Sequence, residues 1–90
     1  MPLFVIEREM PGASKLSEGE LRALSLKSLA VRKDLGHKIQ WLHSYVTDEK
    51  LYCLYIAPDE SMIREHAKRV GVPANRIEEV RQLIDAANTE

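Results

Sequence analysis

Residues 39–57 constrain the fold most. Ile39 to Thr47 and Leu51 to Ala57 are both dense in aromatic and β-branched side chains, and only Asp48-Glu49-Lys50 separates them. Two such runs around a short polar break read as a β-hairpin. A lone hairpin is marginal in water and needs more strands or a helix against one face. The rest of the chain supplies both.

Upstream, Leu3-Phe4-Val5-Ile6 runs into Glu7-Arg8 as a strand, and Pro11-Gly12 ends it. Ser17-Glu18-Gly19-Glu20 is a capping box, in which the Ser17 hydroxyl and the Glu20 carboxylate serve free amides at a helix start. Leu21, Leu24, Ser28, Val31 and Leu35 follow at spacings of three and four, one helical face, which Leu26, Leu29 and Ala30 widen. Gly36 suits the helix end. Downstream, Pro58 stops the hairpin and Asp59 caps a second helix with an inner stripe of Met62, Ile63, Ala67 and Val70. Gly71 and Pro73 close that helix. Arg76 to Ile84 reads as a last strand.

The order is therefore β-α-β-β-α-β. It predicts an α+β ferredoxin-like sandwich over residues 1–84, a four-stranded antiparallel sheet with two helices on one face, and a polar tail over 85–90. Right-handed crossovers put both helices on the same side. The bare face then suits pairing with a second copy, as in dimeric α+β barrels. Alternation along the hairpin assigns the faces. Leu42, Val46, Leu54 and Ile56 are mostly aliphatic and should meet the helices. Glu7, Ile39, Trp41, His43, Tyr45, Leu51, Cys53 and Tyr55 should line the open face. This assignment needs a hairpin loop with an odd number of residues. A two-residue loop sets His43 opposite Leu54 and mixes the faces, because a slip of one residue turns every side chain over.

Composition narrows the function classes. The net charge of −1 argues against nucleic acid, which calls for a basic excess. No apolar run approaches the ~20 residues of a membrane span. Met1 to Met10 has no basic segment leading into an apolar one, so it does not read as a secretory signal. Cys53 is the single cysteine, which precludes an internal disulfide and suits a reducing cytoplasm.

On this assignment Glu7, His43, Cys53 and Tyr55 share the open face, with His66 in reserve on the second helix. Imidazole, thiolate and carboxylate together suit nickel, zinc or copper. No C-x-x-C or H-x-x-x-H spacing accompanies them. The same residues also read as plain packing. His43 then sits at a subunit contact, Cys53 is an inert buried thiol, and the aromatics fill an interface. His66 lies at the border of the inner stripe, within reach of a backbone carbonyl. Ser44 and Ser61 have no base nearby in sequence and make poor nucleophiles.

Several blocks stand in order: Trp41-Leu42-His43-Ser44-Tyr45-Val46, Cys53-Leu54-Tyr55 with Ala57-Pro58, Ile63-Arg64-Glu65-His66-Ala67, Gly71-Val72-Pro73 and Arg76-Ile77-Glu78-Glu79-Val80. Together they resemble a bacterial family of small ferredoxin-like domains that includes an actinobacterial nickel-binding protein. The resemblance runs from Pro2 to Val80. It implies a ferredoxin-like fold, a homodimer, a cytoplasmic setting and nickel as the metal. Three functional classes stand open. One is a small protein that binds nickel or a similar divalent ion. The second is a dimeric α+β barrel holding a small molecule, with His43 as general base and a tyrosine orienting the substrate. The third is a structural or sensing module without chemistry.

Overall fold

The computed structural model describes residues 1–88. Strands β1 (Leu3–Glu9), β2 (Gln40–Val46), β3 (Lys50–Ile56) and β4 (Arg76–Glu79) form one antiparallel sheet in the order β2-β3-β1-β4. Helices α1 (Glu18–Asp34) and α2 (Glu60–Val70) pack on one side of it. This is the ferredoxin-like arrangement expected from the order of elements.

Local chemistry sets the helix starts. Ser17 and Glu20 exchange two hydrogen bonds of 3.1 Å, the full capping box. The Asp59 carboxylate accepts the Met62 amide at 2.9 Å. Gly71 ends α2 at φ 87°, left-handed backbone that an L side chain rarely adopts. Gly36 and His37, both at positive φ, turn the chain from α1 toward β2.

Three expectations need correction. Leu26 and Leu29 do not widen the buried face of α1 and are 55% and 44% exposed. At 3.6 residues per turn, Leu26 lies about 200° round the helix from the inward Leu24. The last strand ends at Glu79, not Ile84. The Val80 amide donates to the Leu3 carbonyl, and Leu3 is the first residue of β1, so the chain beyond has no strand edge left to pair with. Leu83 and Ile84 are accordingly exposed. Of the expected polar tail, Ala86–Asn88 forms a short 3-10 turn, and residues 89–90 lie outside the described residues.

The third correction concerns the faces. The Thr47 amide donates to the Lys50 carbonyl, so the hairpin closes over Asp48 and Glu49, an even loop. His43 therefore stands opposite Leu54, Ser44 opposite Cys53 and Tyr45 opposite Tyr52. Leu51, Cys53 and Tyr55 are buried toward the helices, together with Phe4, Ile6 and Arg8 of β1. Tyr52, Leu54 and Ile56 take the open side. A bulge at Leu42 adds one residue to β2 and brings Trp41 onto the same face as Ser44. Ile39, expected on the open face, is 1% exposed in the core. Leu42, expected under the helices, is 41% exposed at the bulge, whereas Val46 does stand on the helix side, opposite Leu51, although its place on the edge strand leaves it 42% exposed.

Candidate functional site

The sheet separates the five candidate ligands into two groups. Glu7 and His43 are on the open face. Cys53, Tyr55 and His66 are inside, between sheet and helices.

On the open face, β2 carries His43, whose ring meets Tyr45 edge to face at 5.2 Å between centroids. Glu7 is two strands away on β1, across from Tyr52 and Arg76. Lys50 Nζ lies 3.4 Å from the Glu7 carboxylate. Glu78 stands opposite Val5 in β4 and shares this face, where it pairs with Arg76 at 2.9 Å. Val5, Glu7, Tyr52, Arg76 and Glu78 line a shallow depression. His43 and Glu7 are separated by one strand and by one row of side chains, so one ion cannot bind both within a single chain. Neighbouring strands lie about 4.8 Å apart, and the row offset adds more.

Inside, the polar groups are closely matched. Tyr55 reaches the Ser28 hydroxyl at 3.3 Å, and burial pushes its phenol pKa up. The His66 ring stands edge-on to Tyr55, with centroids 5.5 Å apart. Its Nε2 lies 3.0 Å from the Ser28 carbonyl and 3.3 Å from the Ser28 hydroxyl. A carbonyl oxygen only accepts, so Nε2 carries the proton and Nδ1 is left as an acceptor. Nδ1 is buried and has no partner among the described residues. Burial lowers the His66 pKa, the Ser28 carbonyl opposes that, and the charge of Arg8 adds to the lowering. His66 thus has the backbone partner that its border position suggested.

Arg8 was missed by reading the sequence. Its signal was present: Phe4, Ile6 and Arg8 recur at a period of two, which puts a guanidinium on the core face. Arg8 is 2% exposed. It donates to the Pro73 carbonyl at 2.7 Å and to Cys53 Sγ at 3.5 Å, and lies 5.9 Å from the centre of the Tyr55 ring. Ser28 gave a similar signal, a hydroxyl within an otherwise apolar helix face. Arg8, Ser28, Cys53, Tyr55 and His66 all border a half-open cavity of about 190 Å³ between α1, α2 and the sheet.

These two places can be set beside known proteins. The profile of the SCO4226-like family, described as nickel responsive proteins, matches residues 4–80. The chain belongs to this family. The crystal structure of SCO4226 from Streptomyces coelicolor A3(2) superposes with a TM-score of 0.77 at 22% identity, covering 91% of this chain and 99% of that one. That likeness establishes the shared fold. Among curated proteins no relative matches. The family's description calls for a test of the residues against nickel. Among the described residues no three His, Cys, Asp or Glu side chains gather as a metal site. No helix among the described residues is long and apolar enough to cross a membrane.

Proposed function

We propose that this family member binds a nickel-class divalent ion between two copies of the chain, on the open face of the sheet. One observation carries the reading. The His43 imidazole and the Glu7 and Glu78 carboxylates occupy opposite halves of one uncovered sheet face. A two-fold axis through that face sets β2 of one copy over β1 and β4 of the other. His43 of each copy then meets carboxylates that its own chain holds out of reach. Imidazole nitrogen and carboxylate oxygen are the donor types that tetragonal nickel accepts. The surroundings suit a covered interface: Tyr45 is 59% exposed on this face, and Val5, Tyr52, Leu54 and Ile56 are only half-buried. The reading is one of binding and response, with no reaction assigned. Cys53, Tyr55 and His66 stand outside the proposed ligand set because the sheet separates them from this face.

Equilibrium dialysis against nickel and against zinc tests it. Wild-type protein should retain nickel, and His43→Ala should weaken retention at least tenfold while far-UV circular dichroism stays unchanged. Glu7→Gln should weaken it less, since Glu78 shares the same half of the face. Nickel retention equal in wild type and His43→Ala would move the site elsewhere.

A further inference from the structure

The half-open cavity between sheet and helices has a composition that the metal reading leaves unexplained. Leu21, Leu24, Val46, Leu51, Val70 and Val72 give it an aliphatic wall. Into this apolar setting β1 delivers Arg8, a guanidinium that stays charged at any physiological pH. Buried charges are ordinarily paired with an opposite charge, because taking an ion out of water is expensive. Arg8 makes no ion pair with a carboxylate among the described residues. Its partners are the Pro73 carbonyl, through Nη1, Cys53 Sγ, through Nε, and the Tyr55 hydroxyl beside it, and none of these is a carboxylate. Two further polar features border the same space. Trp41 donates to Ser44 at 2.9 Å, and His66 keeps an unpartnered, buried Nδ1. A core built only for stability would favour an aliphatic side chain where Arg8 stands.

We propose that this cavity is a binding site for a small organic anion, a monocarboxylate with a compact apolar body, whose carboxylate pairs with the Arg8 guanidinium. The volume supports the size class. At about 190 Å³ it is somewhat larger than the ~150 Å³ engineered apolar cavity that admits benzene. A single ring or a short alkyl chain fits, and a nucleotide does not. The apolar walls take the body of the ligand and exclude water. Exclusion of water strengthens the one charge-assisted contact. The site lies on the opposite side of the sheet from His43 and Glu7 and does not rest on the metal reading.

The experiment uses the intact chain with benzoate and hexanoate as probes, and benzamide and hexanamide as neutral counterparts. Calorimetry measures the affinity. Emission from Trp41, the single tryptophan, reports whether the probe enters this cavity. At least one acid should bind with a Kd below about 1 mM and shift the emission, with its amide at least tenfold weaker. Arg8→Met should weaken the acid tenfold or more. Ser25→Phe, which fills the cavity and leaves Arg8 in place, should do the same and guards against a misfolded Arg8 variant. Absence of binding by both acids would mean a water-filled pocket only and would overturn the proposal. Amides binding as tightly as acids, or acid binding that survives both variants, would overturn it equally.

Discussion

His66 stands in α2 between Ile63 and Val70, where an apolar stripe would carry an aliphatic residue, and it is 2% exposed. Its Nε2 bond to the Ser28 carbonyl satisfies one side of the ring and leaves the other bare. Burial holds the folded pKa below the ordinary 6.5, helped by the nearby charge of Arg8 and opposed by the Ser28 carbonyl. Tyr55, the other titratable ring against it, remains neutral because burial raises its pKa. The direction of the pH effect follows. As pH falls below about 6.5, the unfolded chain takes up a proton that the folded imidazole resists. Stability is full above that value and drops as pH approaches the lowered folded pKa. Urea unfolding at pH 7.5 and pH 5.5 should show a lower midpoint at the acid value. His66→Gln should shrink the part of that difference due to residue 66; an undiminished difference would assign the effect to other groups. The position of His66 was legible from helical spacing. The environment of Cys53 and Tyr55 was not, because a thiol and a phenol suit a buried face as well as an open one. The Ser28 hydroxyl on α1, together with Arg8, gives Tyr55 its polar company inside.

At the level of elements, the boundaries carried by side-chain chemistry were legible: the capping box at Ser17, the cap at Asp59 and the end of α2 at Gly71. Hairpin register was not. An odd and an even loop differ by one residue, and Asp48-Glu49-Lys50 allows both. The extra residue at Leu42 is likewise invisible to a period-two pattern, since no glycine marks the bulge. Yet that bulge places Trp41 and Ser44 side by side at the cavity wall. Two glycines make opposite predictions. Gly71 sits at φ 87°, so Gly71→Ala should destabilise by about 1 kcal/mol, the usual penalty for an L residue in left-handed backbone. In a domain of this size that lowers Tm by roughly 4–8 °C. Gly19 lies in the first turn of α1, where an added Cβ meets only the Ser17 hydroxyl at 3.8 Å. Gly19→Ala should raise stability by about 0.5 kcal/mol through helix propensity. Thermal melts of both variants check the pair, and a destabilised Gly19→Ala would mean that the first turn of α1 is not regular helix.

The whole molecule measures 40 × 31 × 20 Å along its principal axes. The shortest extent is that of two layers, one sheet and one row of helices, at about 10 Å each. A chain of 90 residues buries only about 60–65% of its unfolded surface, so a second copy on the bare sheet would add substantially to its core. Tyr45 on the open face, together with the neighbouring Leu42 at the bulge of β2, already exposes apolar surface there. Fold and family were legible from element order and block spacing. The division of the candidate ligands between two faces was not, because it depends on register. That division is why the proposed site needs a second copy, which would bring the imidazole on β2 to the carboxylates on β1 and β4 of its partner. Native mass spectrometry of nickel-loaded protein measures assembly and metal content on the same particle. Nickel should ride on a species of twice the 10.3 kDa chain mass, and His43→Ala should leave the dimer without it. Nickel carried by the 10.3 kDa monomer, with or without His43, would contradict the proposed site.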